Sequence, residues 1–147
     1  MDKSNGINNK INELFSKAKC KTVLIRNFSN FYDLNFYYFS QIGAGDFDNN
    51  FLILQKGKKP AVLTTNLEYG ALLKYKSLRI KKAASKKEFI KFLKKNLKGK
   101  IGLNYEIYPK KQFNSLKKEL KKCKFIDVSE KLNRLRETKT REEIKKI

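Results

Sequence analysis

The segment whose residue types and spacing come nearest to a binding site is IGAGDFDNN, from Ile42 to Asn50, with two glycines and two aspartates. A phosphate loop would need a third glycine and a GK[ST] ending, and Asp46 and Asp48 would repel phosphate. A calcium loop would need the full D-x-[DN]-x-[DN]-G pattern and a later glutamate, of which only a fragment is present. The pattern therefore favours a flexible hairpin connection over a ligand site.

Side chains suited to catalysis are scarce in this sequence. It contains no histidine, which removes the commonest general base, the Ser-His and Cys-His nucleophile pairs and every His-containing metal site. Cys20 and Cys123 are too few for a Cys₄ zinc site. Because each cysteine precedes a predicted strand, we expect free thiols in a reducing cytosol rather than a disulfide. The chain alone is not expected to catalyse a reaction or to hold a cofactor.

The net charge of +21, from 35 basic and 14 acidic residues, has two interpretations. One is binding to nucleic acid or to an anionic membrane. The other is a solvated lysine-rich surface in a protein that is also rich in Asn, Ile, Phe and Tyr. Arginine, whose planar fork matches phosphate, stands at only five positions, so the second interpretation is favoured. No apolar run approaches the roughly 18 residues of a membrane span, and no signal peptide is present, which predicts a soluble cytoplasmic protein.

At 147 residues the chain is one domain by size, and its helices are marked by periodicity and by capping residues. Apolar residues spaced four, three and four apart predict an amphipathic helix over Asn8–Lys19. Four more helices are predicted to begin at capping boxes, at a proline or just after a strand. These starts are Thr65 with Glu68, Ser85 with Glu88, Pro109 and Ser129.

Seven short apolar or alternating runs predict strands. They are Thr22–Arg26, Asn35–Ser40, Phe51–Gln55, Ala61–Thr65, Leu78–Lys82, Lys100–Leu103 and Cys123–Val128. The first half of the chain is rich in hairpins, whereas the second half alternates strand and helix. This order predicts a three-layer α/β fold, with a mixed sheet that is antiparallel early and parallel later and helices on both faces.

The carboxy-terminal segment predicts a domain boundary. Thr140 and Glu143 form a capping box, but a helix starting there has barely two turns before Ile147. We therefore expect residues 1–138 to be one domain and residues 139–147 to begin a linker helix into a missing carboxy-terminal domain.

The same segment resembles the domain junction of the creatinase, prolidase and aminopeptidase P family. The family's LR-x-x-K-x-x-x-E-I pattern is matched by Leu135, Arg136, Lys139, Glu143 and Ile144. Upstream, four further patterns occur in the family's order. They are N-x-x-Y at Asn35 to Tyr38, G-K-x-P at Gly57 to Pro60, I-G-L at Ile101 to Leu103 and I-D-V-S at Ile126 to Ser129.

Three positions depart from the family's patterns. Gln41 stands where glycine is usual, Ile42 where an aromatic residue is common, and Asn104 where the family has an acid. The resemblance nevertheless covers nearly the whole chain. It implies a creatinase-type amino-terminal domain that is itself non-catalytic.

The resemblance also implies partners and candidate contacts. The parent would be a Xaa-Pro dipeptidase or aminopeptidase P-like hydrolase that cleaves proline-containing peptides, with two divalent metal ions in the missing carboxy-terminal domain. This domain would then help form a homodimer and narrow access to the active site, with Gln41–Asn50 as the loop that reaches it. Tyr38, Gly43, Asp46 and Phe47 are the residues predicted to contact substrate or the second subunit. The alternative is a stand-alone basic α/β module that binds nucleic acid, although nucleic acid is not the expected partner.

Overall fold

Strands and helices alternate along most of the chain. A computed structural model describes the backbone of residues 3–29, 32–43 and 47–137, with side chains from residue 6 onward. Within these residues the helices are α1 (Lys3–Lys17), α2 (Leu34–Ser40), α3 (Asn66–Leu72), α4 (Lys86–Asn96), α5 (Lys110–Glu119) and α6 (Ser129–Glu137). The strands are β1 (Thr22–Arg26), β2 (Phe51–Gln55), β3 (Ala61–Thr65), β4 (Arg79–Ala83), β5 (Gly99–Leu103) and β6 (Cys123–Asp127).

The described strands form one mixed sheet in the order β4-β3-β2-β1-β5-β6. β2 pairs antiparallel with β1 and with β3, while the β1–β5, β3–β4 and β5–β6 pairs are parallel. The predicted mixture of early antiparallel and later parallel pairing is confirmed. Every strand except β2 therefore points in the same direction, and the five strands end at a common edge, here called the carboxyl edge.

Helices cover both faces of the sheet and enclose two apolar cores, which confirms the predicted three layers. Alternation along a strand divides its side chains between the faces, so Val23 and Leu24 of β1 belong to different cores. One core packs against α1, α2, α3 and α6, and this is called the α6 side. The other packs against α4 and α5, through Leu93 and Leu116 among others, and is called the α4 side.

The predicted strand over Asn35–Ser40 is wrong, because the segment is helix α2. Its aromatic content favoured a strand, but Asp33 caps the helix and its carboxylate accepts a hydrogen bond from the Asn35 backbone N–H at 2.9 Å. Phe36 and Phe39, three residues apart, are then buried on one helical face. Residues 41–50 therefore connect a helix to β2, and the predicted hairpin connection at this place is also wrong.

The other elements lie close to their predicted positions. The Thr65 and Ser85 hydroxyls each accept a hydrogen bond from the backbone N–H three residues later, as the capping boxes predict. β4 is an edge strand with half-exposed and exposed residues, as the alternation over Leu78–Lys82 indicates. α1 begins earlier than predicted, at Lys3. Among the described residues, no helix has the length and apolar character needed to cross a membrane.

Candidate functional site

The segment that follows α2 is anchored where it leaves the helix. Gln41 adopts a left-handed backbone conformation, with φ of 61°, and its side-chain amide donates to the Tyr38 carbonyl. Ile42 is buried. The Gly43 backbone N–H donates to the Tyr75 hydroxyl at 3.2 Å. A left-handed conformation favours glycine, which explains physically why glycine would suit position 41.

The end of the same segment is anchored at the carboxyl edge. Phe47 is half-buried against the core on the α6 side. Asp48 accepts a hydrogen bond from the Tyr32 hydroxyl at 2.9 Å. Asn49 donates to Ser29, and the buried Asn50 side chain donates to the Glu68 carboxylate at 3.2 Å. Glu68 thus ties this segment to the start of α3, a contact that the capping-box pattern alone does not reveal.

A buried polar cluster lies beside the segment, at the start of α2. The Asp33 carboxylate accepts hydrogen bonds from the Asn35 backbone and side chain, both at 2.9 Å, and from the Asn104 side chain at 3.2 Å. Burial raises the pKa of Asp33 above its usual value, while those hydrogen bonds and the positive charge of Arg136 act in the opposite direction. Asp33 was not singled out from the sequence, although its position before an aromatic run is an N-cap signal.

The cluster gives a physical reason for the departure at position 104. Asn104 is buried, and its amide group donates to a carboxylate that the chain supplies at position 33. An acid at position 104 would face that carboxylate instead, and two neighbouring carboxylates disfavour each other's ionised form. Asn104 and Asp33 are therefore matched to each other in this chain.

Two of the sequence patterns quoted above, at Ile101 to Leu103 and at Ile126 to Ser129, have packing or capping roles. A Cβ atom on Gly102 would lie 2.9 Å from a methyl group of Val128 and 3.0 Å from one of Val23. Position 102 therefore has no room for a side chain. Asp127 accepts hydrogen bonds from the Ser129 backbone and hydroxyl, at 3.0 and 2.7 Å, and thereby supports the start of α6.

Exposed apolar side chains gather at the carboxyl edge. Of the five large hydrophobic side chains described as exposed, four lie in segments that immediately follow β1, β3 or β5. These are Tyr32, Leu34, Leu67 and Tyr105, with Leu67 94% exposed and Leu34 64% exposed. Tyr32 and Leu34 also line a cleft of about 560 Å³ that reaches Arg136 and Glu137 at the end of α6. Exposed apolar surface of this kind is typical of interaction sites.

The predicted contact residues occupy different surroundings. Tyr38 is half-buried in α2 and its hydroxyl donates to the Leu135 carbonyl of α6 at 3.4 Å. Gly43 is exposed, whereas Phe47 is half-buried against the core, so these two residues of the segment have different surroundings. Asp46 lies outside the described residues, as do residues 139–147 with the predicted linker helix. Contact of these residues with a substrate or a second subunit stays a prediction.

The acidic and cysteine side chains do not form a metal-binding group in the described part of the chain. Residues 3–29, 32–43 and 47–137 contain no group of three or more His, Cys, Asp or Glu side chains that could hold a metal ion. The prediction of free thiols is confirmed for Cys20, which is buried, and for Cys123, which is half-buried. Burial raises the pKa of both thiols, which lowers their reactivity at neutral pH.

These features define an α/β domain with a mixed sheet and with exposed apolar side chains at its carboxyl edge. The Creatinase/Prolidase N-terminal domain family matches residues 9–138, and the chain belongs to that family. No curated protein matches the sequence.

Solved structures of proline peptidases share the fold. The X-Pro aminopeptidase of Thermotoga maritima superposes with a TM-score of 0.78 at 21% identity, over 100% of this chain and 39% of that one. The prolidase of Pyrococcus horikoshii gives 0.70 at 25% identity, over 95% of this chain and 37% of that one. This chain thus spans about two fifths of the length of these enzymes.

A separately solved domain is also similar. The Creatinase/Prolidase N-terminal domain of an X-Pro dipeptidase from Streptococcus pyogenes gives a TM-score of 0.64 at 12% identity. The match covers 84% of this chain and 99% of that one.

Proposed function

We propose that this chain is the non-catalytic amino-terminal domain of a Xaa-Pro dipeptidase or aminopeptidase P-like metallopeptidase. In the parent protein it shapes access to the active site and takes part in dimerisation. Two divalent metal ions, held by a carboxy-terminal domain, carry out the cleavage of proline-containing peptides. The single observation that best supports this proposal is the row of exposed apolar side chains at the carboxyl edge, next to the anchored segment 41–50.

The edge has the features of a docking surface for the chain's own catalytic domain. Leu67 and Leu34 expose most of their apolar area, and burying such a side chain contributes about 1.5–3 kcal/mol. The cleft beside Leu34 is lined by Arg136 and Glu137, so the carboxy-terminal end of α6 lies next to this surface.

The anchored segment suits a role in restricting access. Tyr75 bonds to Gly43 and Glu68 bonds to Asn50, so these two described residues of the segment have fixed positions. A wall near an active site excludes long substrates at little cost to short ones. Tyr38, Gly43, Asp46 and Phe47 are the proposed contacts of this wall.

The alternative function, nucleic-acid binding, has weaker support. Proteins that bind single strands present aromatic side chains as exposed stacking platforms. Here Phe36 and Phe39 are fully buried, and Phe51 is nearly so. Binding to single-stranded RNA that persists at 0.5 M salt would favour the alternative over the proposal.

The first test is the gene sequence beyond Ile147. A continuation that carries an Asp, Asp, His, Glu, Glu ligand series would support a metallopeptidase parent. A continuation without that series would contradict the peptidase assignment and leave the family membership intact.

The second test places a charge on the carboxyl edge of the full-length protein. Leu67→Lys should weaken dimerisation or relax the preference for short substrates, measured by sedimentation and by kcat/KM for a dipeptide against a pentapeptide. Leu73→Lys is the matched control, because Leu73 is 45% exposed but follows α3, away from this edge. If dimerisation and the two kcat/KM values are the same in Leu67→Lys, in Leu73→Lys and in the wild-type protein, the role of the edge is contradicted.

A further inference from the structure

A buried lysine joins the two ends of the domain. Lys10 of α1 is only 5% exposed, and its ammonium group donates to the backbone carbonyl of Leu135 in α6 at 3.1 Å, across 125 residues of sequence. Burying an ammonium group is costly unless it is hydrogen-bonded. A lysine at this position therefore ties α1 to one particular carbonyl in the last turn of α6.

The same carbonyl oxygen receives a second hydrogen bond. The Tyr38 hydroxyl of α2 donates to it at 3.4 Å, from a ring that packs edge-on against Phe39 at 5.0 Å. A carbonyl oxygen has two lone pairs and can accept both donors. Helices α1, α2 and α6 thus meet at one backbone atom.

The next residue of α6 lies near the start of α2. Arg136 is half-buried and donates to Asn133 within α6 at 3.2 Å. Arg136 and Asp33 line the same cleft, and the charge of Arg136 opposes the effect of burial on the pKa of that carboxylate. Asp33 caps the start of α2, while Tyr38 near its end bonds to Leu135, so α2 lies along the last turn of α6.

These contacts are well placed to link two parts of the proposed site. α2 has seven residues and ends at Gln41, where segment 41–50 begins. So short a helix has little stability of its own, and its position depends on tertiary contacts. The last turn of α6 is the carboxy-terminal end of the described residues.

We propose that Lys10 and Tyr38 are positioning residues that clamp the last turn of α6 against α1 and α2. The clamp fixes the last turn of α6 relative to residues 41–43, and therefore sets where those residues stand relative to the active site of the parent. This inference rests on the proposed function for its second half. The clamp itself is a property of the 147-residue chain.

The first experiment tests the clamp in this chain by hydrogen exchange. Tyr38→Phe removes only the hydroxyl, and Lys10→Met removes the ammonium group while keeping an unbranched apolar stem. Loss of one hydrogen bond predicts exchange about threefold to tenfold faster at the amides of α6's last turn and of residues 41–43. Lys10→Arg, which keeps a charged donor, should restore most of the protection.

The control for this experiment is Tyr105→Phe, which removes a hydroxyl from a tyrosine that is 39% exposed on the same edge. It should leave these exchange rates unchanged. Wild-type rates in both Tyr38→Phe and Lys10→Met, with thermal unfolding showing that both are folded, would overturn the clamp.

The second experiment uses the full-length protein and separates the clamp from the proposed function. Lys10→Met should change the KM ratio between a pentapeptide and a dipeptide by about threefold, with kcat for the dipeptide unchanged. If Leu67→Lys changes that ratio and Lys10→Met does not, the coupling is overturned while the proposed function stands. If neither variant changes it although exchange is faster in Lys10→Met, the access role itself fails and the clamp is only structural.

Discussion

The two sides of the sheet are held together by different kinds of contact. On the α6 side, hydrogen bonds join residues far apart in sequence, such as Lys10 to Leu135 and Asn104 to Asp33. On the α4 side, apolar packing dominates under a surface of lysines. Helices α4 and α5 together contain nine lysines and two glutamates, and all of these lysines are exposed.

The comparison shows that the buried polar groups of the α6 side have specific positions, whereas the surface charges of the α4 side do not. The lysines of α4 and α5 keep their ammonium groups in water while their stems cover the apolar core. A described ion pair on this side, Lys94 with Glu119 at 3.5 Å, is exposed at both partners. Polar groups on the α6 side are buried and matched to named partners, so substitutions there should have larger and more specific effects.

The largest effect is expected at Gly102, where the sheet meets the α6 side. Gly102→Ala places a methyl group 2.9–3.0 Å from branched valine side chains that cannot move aside easily. We expect the free energy of unfolding to fall by about 1–3 kcal/mol. Denaturant unfolding measures it.

Gly70→Ala is the matched control for this substitution. Gly70 lies within α3 and has no atom within 4 Å of its added Cβ position. Alanine is the better helix former, so this variant should gain about 0.5–1 kcal/mol. Similar losses in both variants would contradict the specific close packing at Gly102.

A pH-dependent effect is expected from Asn104→Asp. It sets a second carboxylate against Asp33, and the single charge of Arg136 cannot balance both. The pKa of the pair rises in the folded protein above its unfolded value, so the folded state binds more protons between the two values. Stability relative to wild type therefore falls as pH rises through this window, by about 1–3 kcal/mol at pH 7, and recovers below about pH 4.

Urea unfolding at a series of pH values from 3.5 to 7.5 checks this expectation. Asn114→Asp, at an exposed position of α5 on the α4 side, provides the comparison. A constant difference between Asn104→Asp and wild type across the series would show that Asp33 and residue 104 are not coupled.

A smaller, stabilising effect is expected from Gln41→Gly. The left-handed conformation costs a non-glycine residue about 1–2 kcal/mol, and the greater freedom of glycine in the unfolded chain offsets about 0.4–1 kcal/mol. Loss of the single exposed hydrogen bond from the Gln41 amide to the Tyr38 carbonyl reduces the gain further. The free energy of unfolding should therefore rise by at most about 1 kcal/mol. Asn49→Gly, with a similar φ of 59°, should instead lower it, because Asn49 bonds to Arg26 and Ser29. Thermal unfolding distinguishes the two.

The smallest effect is expected on the α4 side. Lys94→Gln removes the ion pair with Glu119, and exposed pairs of this kind contribute about 0–1 kcal/mol. We expect a change within about 0.5 kcal/mol, measured by denaturant unfolding at low and high salt. A larger loss would mean that lysines on this side are as specifically placed as the polar groups on the α6 side.

Most of the fold could be predicted from local patterns. The alternation at Leu78–Lys82, the capping boxes at Thr65 and Ser85 and the apolar run over Thr22–Arg26 each depend on nearby residues, and each prediction is close to the structure. The segment Asn35–Ser40 could not be assigned correctly from aromatic content. Its helix depends on Asp33, and Asp33 is held in turn by Asn104, 71 residues later.

The candidate site was less accessible to sequence reasoning than the fold. The segment Gln41–Asn50 could be singled out by its glycines and aspartates. Its anchors, Tyr75 and Glu68, belong to other elements and share no local pattern with it. The exposure of Leu67 could not be predicted either, because a leucine that follows a capping threonine has the same sequence pattern as any other helical leucine until the packing is known.

The sequence by itself determined the α/β class, the mixed sheet, the absence of histidine chemistry and the ordered patterns that mark the family. These follow from periodicity, caps and residue types, which act over a few residues. Only the tertiary structure decided that Lys10 and Tyr38 meet at Leu135, that Asp33 and Asn104 share one buried cluster, and that exposed apolar residues converge on one edge. Those contacts join residues between 71 and 125 positions apart, and no local pattern connects such residues, because they meet only when separate elements pack together.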